Sequence, residues 1–171
     1  MHRLVHLIVA VVIVAAGGLG GRSAAAQPEP QPVTIPCATN VSAQVLGATP
    51  EAAAGQTLVL ARVIFGPGGS IGAHTHPGTL VVSVESGSLG FTLLDHGDMP
   101  VMRAMAAGTP AVAEPMTRDQ EAELAPGDWF VETGMIHGAR NLSDEPTAVL
   151  LTGLIEAGQP LTQCAEGTPT P

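Results

Sequence analysis

The chain has 171 residues, with fifteen acids against six arginines and no lysine, for a net charge of −9. With no basic patch to neutralise phosphates, such a chain is a poor partner for nucleic acid or anionic lipid. Aromatic residues are only 2% of the chain and tyrosine is absent, so stacking platforms are scarce and the core falls mainly to Val, Leu, Ile and Ala.

The chain opens Met1-His2-Arg3-Leu4-Val5-His6 and then runs apolar from Leu7 to Ala16, ending in the small residues Ala24-Ala25-Ala26. A basic start, a short apolar core and a small-residue end predict a cleavable secretory signal over residues 1–26. The apolar run falls short of the ~20 residues a spanning helix needs, and the glycines at 17, 18, 20 and 21 weaken a helix there. An uncleaved N-terminal anchor is the competing reading. Cleavage would remove Arg3 and Arg22, leave a mature charge of about −11, and leave no segment for stable membrane insertion.

Residues 27–36, opening Gln27-Pro28-Glu29-Pro30-Gln31-Pro32, read as an extended proline-rich spacer. A single domain is expected over 37–164, followed by a disordered tail over 165–171. The two cysteines, Cys37 and Cys164, stand at the two ends of that domain. In an exported chain they predict one disulfide, with unlinked thiols as the alternative. Closing so long a loop stabilises by up to ~5 kcal/mol in the chain-entropy model.

From Thr57 onward, short Val/Leu/Ile runs alternate with Gly, Pro and Asp. Thr57 to Phe65 is strand-like, and Gly66-Pro67-Gly68-Gly69 reads as a turn. In the next run Leu80, Val82 and Val84 share one face, while Thr79, Val81, Ser83 and Glu85 share the other. Further strands are expected at Leu89–Leu94, Glu121–Leu124, Trp129–Val131, Ile136–Leu142 and Pro146–Ile155. Many short strands without a helical period predict an all-β sandwich or barrel. The region from Asp95 to Thr117 fits this pattern least. Its Met99, Met102 and Met105 are read as gap-filling core residues rather than Cu(I) ligands, and His96 as a solvated turn residue.

The chemistry concentrates in Gly68-Gly69-Ser70-Ile71-Gly72-Ala73-His74-Thr75-His76-Pro77. On an extended chain His74 and His76 face the same side, and neutral imidazole is a common ligand for transition metals. A third histidine, His137, lies in Gly134-Met135-Ile136-His137-Gly138-Ala139-Arg140-Asn141. Gly68, five residues, His74-x-His76, a strand and Gly87 resemble the first motif of the cupin superfamily. Gly127-Asp128, an apolar run and Gly134-x-x-His137-x-x-x-Asn141 are similar to the second.

The resemblance implies a double-stranded β-helix (jelly-roll) barrel similar to the quercetinase-like cupins. It also implies a divalent transition metal (Fe, Mn, Zn, Ni or Cu) held by His74, His76 and His137. The family's usual glutamate ligand falls at Leu80, which should face the interior without a lone pair. Glu132, where the family usually has proline, is the candidate to replace it at the metal or to act as a catalytic base. Its ordinary reading is a solvent-facing residue at a turn. Asn141 is expected to hold backbone, and Arg140 is left as an anion-binding candidate. Three function classes follow: a metal-dependent enzyme such as a dioxygenase acting on a small molecule, a non-catalytic small-ligand- or metal-binding module, and a structural barrel. Homodimers are common in the family, and nothing in the chain sets the oligomeric state.

Overall fold

A computed structural model describes residues 32–95, 97–105, 109 and 112–166 of the chain. The expected signal segment, residues 27–31 of the spacer, His96 and residues 167–171 lie outside this set. Every helix or strand among the described residues is a strand: β1 (Pro32–Val33), β2 (Ala38–Ala53), β3 (Gln56–Thr75), β4 (Gly78–Ser86), β5 (Leu89–Leu93) and β6 (Met99–Arg103), then β7 (Val112–Met116), β8 (Glu121–Leu124), β9 (Trp129–Thr133), β10 (His137–Asn141), β11 (Thr147–Glu156) and β12 (Gln163–Cys164).

The strands pair antiparallel in the order β7-β6-β9-β4-β11-β3-β10-β5-β8, with β2 and β12 also on β3. This is a nearly closed antiparallel barrel, as the strand pattern and the motifs predict. The alternation in β4 is obeyed: Leu80, Val82 and Val84 are buried, while Thr79, Val81 and Glu85 face out. Val63 and Phe65 of β3, Val149 and Leu151 of β11, and Phe91 and Phe130 join them in one aliphatic core. The two phenylalanine rings meet at 4.6 Å.

Residues 66–69, expected as a turn, do not reverse the chain. They are a bend inside the twenty-residue β3, which pairs with β11 over 56–65 and with β10 over 70–74. One strand thereby serves both halves of the barrel. Asn40 of β2 lies against the bend and donates to the Pro67 carbonyl. A Cβ on Gly69 would stand 2.6 Å from the Asn40 carbonyl oxygen, so close approach requires glycine there.

Two further segments differ from expectation. Residues 32–36, assigned to the spacer, supply β1 and the buried Ile35. The awkward region after Asp95 contains the hairpin β6–β7, with Met99 in the core, Met102 half-buried and Met105 exposed, so the three methionines share no one face.

Candidate metal centre

His74 sits in β3 directly opposite His137 of β10, so antiparallel pairing aims both rings to the same side. His76, two residues on, shares that side just past the end of β3. The His74 and His137 ring centroids are 4.1 Å apart, and one nitrogen from each of the three histidines falls within 4.8 Å of the others. All three are buried.

Their orientation is set from behind. His74 Nδ1 donates to Gly72 O (2.8 Å), His76 Nδ1 to Leu161 O (2.5 Å) and His137 Nδ1 to Met135 O (3.2 Å). A carbonyl oxygen only accepts, so each Nδ1 carries the proton and each Nε2 is left with a lone pair. Burial pushes the imidazoles away from the charged form. His74 falls to about 4, first by desolvation and then by the charge of His76, and His76 and His137 are lowered chiefly by desolvation. Three neutral imidazoles with inward lone pairs are the state a metal needs.

Glu132 completes the cluster, and here the solvent-facing expectation is corrected. Its side chain is 1% exposed, with Oε1 3.4 Å from His76 Nε2 and Oε2 3.5 Å from His137 Nε2. Neither carboxylate oxygen has a hydrogen-bond partner. The cause is register: Glu132 of β9 is the direct cross-strand partner of Leu80 of β4, so both point inward at the same level of the barrel. A carboxylate thus faces His76 and His137 from the strand next to Leu80. Desolvation raises the Glu132 carboxyl from 4.5 to about 8.

Lone pairs on imidazole nitrogens and on an orphaned carboxylate facing one another are unfavourable unless a proton or a cation lies between them. The donor set therefore fits a divalent transition ion.

Other candidates are placed elsewhere. Arg140 is tied to Glu121 on the surface by two hydrogen bonds and is not a free anion site. Asn141, as expected, holds backbone: its Nδ2 donates to the carbonyls of Phe65, Gly66 and Glu145. Cys37 and Cys164 form the predicted disulfide, with Cα atoms 5.9 Å apart. The sequence held no sign that this link borders the cluster. Cys164 pairs with His74 across β12 and β3, and Leu161, on the same terminal segment, orients His76.

A cavity of about 170 Å³ runs from the cluster into the barrel, walled by Val63, Phe65, Val82, Phe91, Val149 and Leu151 among others. On the rim, His76 also borders a shallow polar depression with Thr75, Thr133 and Glu156.

No family model matches the chain, and no curated protein matches it. Solved structures do. Oxalate decarboxylase from Bacillus subtilis is 17% identical with a TM-score of 0.51, over 80% of this chain and 30% of that enzyme. The chain therefore spans less than a third of that protein's length. A cupin superfamily protein from Desulfitobacterium hafniense is 15% identical over 68% of this chain and 78% of that one (TM-score 0.45). KdgF from Halomonas sp. is 20% identical over 66% and 79% (TM-score 0.43). The fold is the cupin jelly roll. Another structure of the decarboxylase is described by its Mn(II) centres.

Proposed function

We propose that the chain is an exported metal-dependent enzyme that acts on a small molecule within the barrel. The observation that carries this reading is Glu132: a carboxylate buried without a hydrogen-bond partner beside three imidazoles whose lone pairs point at the same place. His74, His76 and His137 would hold the ion. Glu132 would stand as a further ligand or as the group that exchanges a proton with the substrate. A divalent ion supplies Lewis acidity there and, if redox-active, chemistry with dioxygen, so a dioxygenase-like reaction suits iron or manganese.

The protein's own contribution is orientation and exclusion of water. The Gly72, Leu161 and Met135 carbonyls fix the three rings, and the apolar wall keeps solvent from the substrate. Glu132 is positioned to take a proton at its carboxyl oxygens when ionised and to give it back when protonated. Export is supported by the disulfide, which belongs to an oxidising compartment. The Mn(II) centres of the oxalate decarboxylase support a divalent ion without identifying it.

A non-catalytic ligand- or metal-binding module is the second reading. It draws on the absent carboxylate at Leu80, and Glu132 weakens it by restoring a carboxylate at that level. The cavity wall is mainly aliphatic and offers few aromatic faces for stacking, so a flat three-ring flavonol is not the substrate proposed.

The test is a reconstitution assay. The chain loaded with one equivalent of Fe²⁺ should consume oxygen with a small enolisable ketone such as acetylacetone, and Glu132→Gln should slow this by ~100-fold or more. Stoichiometric metal binding without turnover of any enolisable, hydroxylated or carboxylated small molecule would favour the binding module.

A further inference from the structure

We infer that the cavity selects a one-headed amphiphile: a molecule with a single polar or anionic head at the histidines and an apolar body the size of one ring or a short chain. This rests on the metal reading for an anionic head, and the experiment below separates the two.

The two ends of the site differ in polarity. At the histidine end lie His74, His76, His137 and Glu132, with the polar rim depression beyond His76. The rest of the wall is aliphatic or phenyl, except for Thr34 and Thr162 on the terminal segments. Among the described residues no arginine lines the cavity, and the chain has no lysine. The four arginines among the described residues are each engaged on carboxylates elsewhere: Arg62 on Glu85, Arg103 on Glu114 and Asp128, Arg118 on Asp119, and Arg140 on Glu121.

A second charged group carried into the interior would find no counter-ion and no adequate set of donors. Burying an unpaired charge is among the most unfavourable events in a protein. Each buried methylene, by contrast, strengthens binding about fourfold. Size sets the other limit, because an apolar cavity of about 150 Å³ accommodates one benzene. The matching body is one ring or about five to seven carbons, and a dicarboxylate long enough to carry its second group into the apolar interior is rejected.

The experiment is a calorimetric titration of the Zn²⁺-loaded full chain with straight-chain monocarboxylates from acetate to octanoate, and with adipate. Zinc content is measured separately. Affinity should rise about fourfold per methylene up to hexanoate and then level off. Adipate, which carries a second carboxylate in place of hexanoate's methyl, should bind at least ~100-fold more weakly than hexanoate. Equal affinity for hexanoate and adipate, or no dependence on chain length, would overturn the inference while leaving the metal site standing.

If zinc does not bind, the metal reading falls, and the cavity is tested on the metal-free chain with hexanol against hexanediol. Preference for hexanol supports the inference; equal binding overturns it. Val149→Phe, which fills part of the cavity, should move the plateau to shorter acids without changing zinc content. If that variant does not fold, the native titration decides alone.

Discussion

At the scale of single residues the decisive group is Glu132. In the metal-free protein its carboxyl is raised from 4.5 to about 8 by burial, so folding takes up a proton wherever the unfolded chain has lost it. Its contribution is fully present below about pH 4.5 and is lost as pH rises through about 8. The histidines run the other way. His74 is lowered from 6.5 to about 4, so its contribution is present above about pH 6.5 and is lost as pH falls toward 4. Between about pH 6.5 and 8, where His74 no longer titrates, the metal-free wild type should lose thermal stability and Glu132→Gln should lose much less. Parallel melting curves for the two across that window would show that Glu132 is not buried as described.

Register makes a second prediction at this scale. Leu80 and Glu132 are cross-strand partners, so the carboxylate should be transferable between them. Glu132→Leu should weaken metal binding by about 10- to 100-fold, and adding Leu80→Glu to it should restore most of the loss. A double variant no better than the single would mean that position 80 does not reach the site.

At the scale of elements, the terminal segments act on the metal site through the disulfide. Cys164 lies beside His74 on β3, and the Ala165 amide donates to Ala73 O. Leu161 holds the ring of His76 from the same segment. A Cys37→Ser/Cys164→Ser variant should therefore lose ~3–5 kcal/mol of stability, measured by urea unfolding. It should also bind metal more weakly, by about tenfold or more, because His76 loses its fixed orientation. Loss of stability with unchanged metal affinity would show that the Leu161 contact holds without the link.

For the whole molecule, what could be read from sequence was what rests on local spacing. The His74-x-His76 pair, the downstream His137, the alternation of β4 and the cysteine pair each carry their meaning within a few residues or in a count. What rests on pairing between distant strands could not be read. Glu132 looks like an exposed turn residue until Leu80 is known to lie opposite, and no local signal fixes that register. Gly66-Pro67-Gly68-Gly69 has the composition of a turn, yet Asn40 from β2 makes it a bend that carries β3 between the two halves of the barrel. Residues 32–36 look like spacer because Pro32 continues the proline run before it, and no local signal shows that Pro32 and Val33 pair with Gln44 and Ala43 of β2.

The central claim is a divalent ion held by His74, His76 and His137. Elemental analysis of the chain purified without a histidine tag or chelator, beside His76→Ala, tests it most directly. About one equivalent of a divalent transition metal in the wild type, and little in a folded His76→Ala, is the expected result. No metal in the wild type after reconstitution, or full metal in His76→Ala, would contradict it.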